Sequence, residues 1–173
     1  MGSVGKIFGI LFGLLMLCVF AGWSGTRIYK AVVFNIDCGG HLKRAADANT
    51  IELATRELKT VIDYAEKNKL TEGYTSILYK TPDEDIGFWY QNLKASLGEL
   101  ESVSPNATQL EKSNLLMKLR ETLLDLGQSP TVTVPDGISI FPFNTVYAVV
   151  GIISFIFGIV GVIGIGIIIS TWD

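Results

Sequence analysis

Two apolar runs without a charged residue bracket a middle stretch where apolar positions recur at helical spacing. The first run extends from Ile7 to Trp23. At about 17 residues it sits at the short limit for a membrane-crossing helix. Lys6 and Arg27 flank it and can snorkel to two interfaces. The second run, Val146 to Ile169, is stronger. Its length of about 24 residues exceeds the hydrocarbon thickness of a bilayer. Tyr147 and Trp172 flank it as interfacial aromatic anchors.

A cleaved signal peptide is the competing reading of the first run. The run is long for that purpose, and Trp23 stands where cleavage wants a small residue. A retained anchor is therefore expected. Both runs also carry small residues at packing intervals. Gly5, Gly9 and Gly13 share one helical face, and Gly151, Ser154, Gly158 and Gly161 share another. Such faces let backbones approach closely, within one chain or against a partner subunit.

In the middle stretch, Ile51, Ala54, Leu58, Val61 and Ala65 mark one apolar face. That pattern predicts a helix from about His41 to Asn68, after a chain break at Gly39-Gly40 and ended with the help of Gly73. Arg56, Lys59, Glu66 and Lys67 are expected to stay wet. Thr81-Pro82-Asp83-Glu84 reads as a capping box that starts a second helix. Ile86, Tyr90, Leu93, Leu97 and Leu100 form its stripe, and Pro105 closes it. A third helix is expected from Thr108, boxed by Glu111, with Leu116, Leu119, Leu123 and Leu126 inward and Gly127 as C-cap.

Thr131 to Val134 and Ile138 to Ile140 alternate around Pro135-Asp136-Gly137, which predicts a β-hairpin. Arg27 to Ile36 fits either an extension of the first helix or, from Ala31 to Asn35, a strand. The loop Thr71 to Lys80 carries Tyr74, Ile77, Leu78 and Tyr79 and is expected to pack.

The predicted fold is therefore mainly α. Two transmembrane helices flank an antiparallel three- to four-helix bundle with a small β-hairpin. The expected divisions are an anchor over 1–26, the bundle over 27–128, the hairpin and linker over 129–144, and the second membrane helix over 145–173.

Composition agrees with this layout. Mean hydropathy is +0.39. Charged residues make up only 18% of the chain, below the usual quarter. Net charge is −3, and the bases share their stretch with most of the acids. No basic stripe emerges, so nucleic acid is not an expected partner. Neither apolar run holds an acid, a base or a histidine, so a pump or transporter acting alone is disfavoured.

Candidate chemistry is sparse. Cys38 and His41 have ligand-like spacing with Asp37 beside them. Zinc takes four ligands, or three plus water, and His41 is the only histidine. A glycine hinge before a helix start accounts for the cluster, and no metal, cofactor or catalytic residue is expected. A thiol nucleophile with its base fits still less well at a glycine pair. With Cys18 inside an apolar run, a disulfide framework is excluded. In an oxidising compartment Cys38 would sooner pair between molecules. The acids Asp83, Glu84 and Asp85 are explained by capping. Phe88-Trp89-Tyr90 diverge around a helix, so at least one can face a partner, lipid headgroups or a ligand. Asn106-Ala107-Thr108 matches a glycosylation acceptor, although Thr108 already serves as a cap.

The layout of anchor, helical domain and anchor, with the alanine-rich stretch Leu42 to Asn49, resembles the input half of bacterial two-helix chemoreceptors and sensor kinases. That resemblance implies an extracytoplasmic sensing module. It covers shape and one helix, and no output domain is expected after the second membrane helix. The expected function is a non-enzymatic accessory or structural subunit of a larger membrane complex, associating through its glycine-rich transmembrane helices, with lipid and other membrane subunits or itself as partners. The sensing module is the alternative. Arg27 and Lys30 favour a cytoplasmic middle domain by charge, whereas the short amino tail resembles an export start. Cytoplasmic termini with the middle domain outside are the expected orientation.

Overall fold

The computed structural model describes residues 3–125, 127 and 130–171. The chain is mainly helical, with a small two-stranded antiparallel sheet. It divides into two compact units, residues 1–30 with 143–173 and residues 31–142.

The first unit pairs helix α1 (Ser3–Phe34), through its amino-terminal part, with helix α6 (Asn144–Ser170). Both are long and apolar enough to cross a membrane. Away from their shared seam they expose large apolar side chains, including Phe8, Leu11, Ile152 and Phe155. A soluble core helix would bury such residues, whereas lipid solvates them.

In the second unit, α1 gives way to a π-helical turn (Asn35–Gly39) and then to α2 (Gly40–Ala46). The stretch from Arg27 to Ile36 is thus helical. Gly39 and Gly40 have ordinary helical dihedrals and do not break the chain. The break falls later, where Thr50 leaves helical geometry and its hydroxyl accepts the Leu53 amide. The predicted helix from His41 to Asn68 is therefore two, α2 and α3 (Ile51–Lys67).

Helix α3 buries Ala54, Leu58, Val61 and Ala65. The left-handed residue behind it is Lys69, at φ 57°, and not Gly73. Gly73, at φ 103°, sits further on in the loop, close to the Phe141 ring.

Helix α4 (Ile86–Glu101) also starts later than its apparent box. Pro82–Glu84 form a short 3-10 turn, and the N-cap is Asp85, whose carboxylate accepts the Phe88 amide at 3.1 Å. Tyr74 bridges to Asp85, and the Ile86 amide donates to the Gly73 carbonyl. These cross-loop bonds hold the chain extended at Asp85. The loop's tip does not pack, because Leu78 and Tyr79 are exposed.

Helix α5 (Gln109–Leu123) carries the expected box, Thr108 and Glu111 capping one another. It ends at Leu123 by turning directly into a strand, so Gly127 is not its C-cap. Leu126 and Trp172 lie outside the described residues.

The sheet differs from the predicted hairpin. Strand β1 (Leu124–Asp125) pairs with β2 (Thr131–Val132), Leu124 opposite Val132 and Asp125 opposite Thr131. Ile138–Ile140 is a 3-10 turn that buries Ile138 and Ile140. Alternation alone cannot choose between two neighbouring partners, and the end of α5 delivers β1 to β2 first.

The core of this unit gathers Leu42 and Ala45 from α2, Leu58 and Val61 from α3, Ile86, Leu93 and Leu100 from α4, and Leu119 and Leu123 from α5. Helix α2 packs on α3 and α5, and α3 packs on α4.

Candidate functional site

Three places gather the residues of interest. In the first unit, the small-residue faces of α1 and α6 meet in an antiparallel seam. A Cβ added to Gly13 would run into Ile165, and one on Gly158 would touch the Phe20 ring. One on Gly161 would lie 2.8 Å from the Gly13 carbonyl oxygen. Gly9 faces Ile168 and Gly151 faces Trp23. Ser154 is fully buried, and Gly5 is half-buried on α1. The Trp23 indole donates to the Tyr147 carbonyl at 2.9 Å, and Lys6 donates to the Thr171 carbonyl. The contact made by Gly9, Gly13, Gly151, Gly158 and Gly161 therefore lies within the chain. By contrast, a Cβ on Gly22 or Gly164 would meet nothing.

The second place surrounds Glu57, which pattern reading leaves unremarked. Its carboxylate is buried, 5% exposed, although its chain neighbour Arg56 points outward. One oxygen bonds His41 Nδ1 at 2.7 Å. The other pairs with Arg44 at 2.8 Å and Arg56 at 3.3 Å. The His41 hydrogen bond, assisted by the Arg44 charge and a hydrogen bond from Arg56, holds the carboxyl below its ordinary range against the opposing effect of burial. A signal existed: Glu57 falls between Ala54 and Leu58 on the core-facing side, with His41 and Arg44 on adjoining turns of α2.

This cluster also disposes of His41. Its ring is committed to Glu57, while Cys38 is wholly buried in the π turn. Burial removes the Cys38 thiol from reach of a second molecule, which corrects the expected intermolecular pairing. Both cysteines are free. Among the described residues, no three His, Cys, Asp or Glu side chains converge to hold a metal ion.

The third place is the aromatic run on α4. Trp89 is buried and its indole donates to the Thr133 carbonyl at 3.1 Å. Tyr90 donates to Glu66 at 2.6 Å. Phe88 is 63% exposed. Phe88 and Trp89 line a cavity of about 390 Å³ between α4, the end of α5 and the segment from Thr131 to Asp136. That volume lies within the range of small-molecule sites. Asp83, Asp85, Asp125 and Asp136 also line it, and no Lys, Arg or His does among the described residues. The Asp85 charge raises the pKa of the neighbouring Tyr74 phenol. The charged groups on the lining are thus all acidic among the described residues, and its walls mix apolar with polar side chains. In sequence the cavity is written in two distant pieces, and only the aromatic triplet hinted at it.

Comparison with family models, with curated proteins and with solved structures finds no match for this chain.

Proposed function

We propose that this chain is a two-pass integral membrane protein that acts by binding and not by catalysis. Helices α1 and α6 serve as an in-chain membrane hairpin. Helices α2 to α5 work as a small antiparallel bundle that meets other molecules. The observation that carries this reading is the seam: the glycine faces of the two apolar helices are spent on each other. A membrane anchor closed in this way leaves recognition to the bundle and to the outer helix faces. In this reading the protein is an accessory subunit of a larger membrane complex, with both termini cytoplasmic and the bundle outside.

A second reading, a ligand-sensing module, is favoured by the cavity beside Phe88.

Photocrosslinking in intact membranes tests the first reading. A photoreactive residue at Gly158 faces Phe20 of the same chain and should stay silent. One at Gly22, on the open side of α1, or at Phe88 should capture a few defined proteins in stoichiometric yield. Absence of any adduct from both sites would sink the subunit reading. Orientation is tested separately: Ser104→Cys, at an exposed turn, should react with a membrane-impermeant maleimide added outside cells.

A further inference from the structure

From the lining of the α4 cavity we infer a binding site for a small organic cation, an ammonium group carried on an apolar body. The inference rests on the sensing reading and names its ligand class. Phe88 offers an exposed ring, and Trp89 forms apolar wall behind it. An aromatic face attracts a cation through its quadrupole, most strongly where water is partly excluded. Asp83, Asp85, Asp125 and Asp136 surround the same space. None of the four is ion-paired with a Lys, Arg or His among the described residues. Three of them, Asp83, Asp125 and Asp136, stand exposed at the cavity's edge, where like charges raise a field that draws cations in.

The spacing of these acids selects the kind of cation. No three of them converge on one point as the carboxylate shell of a metal ion would. A diffuse charge on a bulky body fits instead. It can rest on Phe88 while the dispersed carboxylates neutralise it from several sides. A volume of about 390 Å³ admits a small molecule of that type.

The test uses the full-length protein in nanodiscs, titrated calorimetrically with choline and with its uncharged isostere 3,3-dimethylbutan-1-ol. Choline should bind saturably and weaken as salt rises. The neutral isostere should bind at least about tenfold more weakly, since it keeps the shape and loses the charge. Phe88→Leu, at an exposed position that keeps an apolar side chain, should weaken choline about three- to tenfold. Asp83→Asn with Asp136→Asn should weaken it similarly and flatten the salt dependence. Equal binding of the isostere, no effect of either variant, or no saturable binding of choline would each overturn the inference. If choline fails while an uncharged or anionic small molecule binds saturably and is weakened by Phe88→Leu, the sensing reading stands and the organic-cation assignment falls. If both fail, both fall.

Discussion

Gly161 and Gly13 meet so closely that a methyl group on Gly161 would lie 2.8 Å from the Gly13 carbonyl oxygen. The obstacle is backbone and cannot swing aside. Gly161→Ala is therefore expected to force α1 and α6 apart locally and to cost about 1–3 kcal/mol. Gly164→Ala, which meets nothing, should be neutral or slightly stabilising. Cross-linking between cysteines placed on α1 and α6, read across a denaturant series in detergent, measures the difference. Equal behaviour of the two variants would remove the seam from the account of the anchor.

The Glu57 cluster predicts an acid-sensitive fold. Its carboxyl pKa is lower in the folded chain than in the unfolded one. The stabilisation is therefore complete above the ordinary carboxylate range and drains as pH falls through the folded value. Glu57→Gln should lower stability near neutrality by about 1–3 kcal/mol, by loss of charged hydrogen bonds at a buried position. It should also flatten the acid limb of the stability curve. Thermal melts from pH 7 down to pH 3 compare the two chains. Parallel acid limbs would show that other carboxylates govern the transition.

Trp89→Phe removes the indole donor to the Thr133 carbonyl and keeps most of the buried ring. A cost of about 1 kcal/mol is expected. The effect should be local as well, because the Thr133 amide donates to the Leu123 carbonyl at the edge of the sheet. Hydrogen exchange at Thr133 should accelerate more than exchange in α3. Uniform acceleration across the unit would indicate general loosening and not a released strand.

Lys69 holds φ 57°, a left-handed conformation that a side chain disfavours. Lys69→Gly should stabilise the second unit by up to about 1 kcal/mol. Asn68→Gly, at an ordinary φ of −95°, should not. A melting temperature unchanged or lowered by Lys69→Gly would show that this position carries no strain.

Much of the chain's local order is readable without coordinates, and its failures are instructive. The Thr108–Glu111 box needs only residues one helical turn apart, so its bonds form as the pattern implies. At Thr81 and Asp85 two plausible caps compete within a few residues. Tyr74 and Gly73 decide for Asp85 by bonding across the loop. Alternation marked Thr131 to Val134 as strand, yet the partner came from the end of α5. The glycine faces on α1 and α6 were legible as faces, because helical spacing alone creates them. Who would occupy them was not, because one apolar surface suits a neighbour in the same chain or in another.

Taken by itself, the sequence determined the quantities that depend on near neighbours. These are two charge-free apolar runs of membrane length, the apolar stripes of α3 to α5, and the box at α5. The tertiary structure alone decided three things that join distant residues. It turned the small-residue faces toward each other, buried Glu57 against His41 and Arg44, and closed a cavity from Phe88, Trp89 and a segment that Trp89 reaches 44 positions away at Thr133. Periodicity reports which side of an element is apolar. Only packing, which balances burial against unpaired polar groups over the whole unit, selects what that side touches.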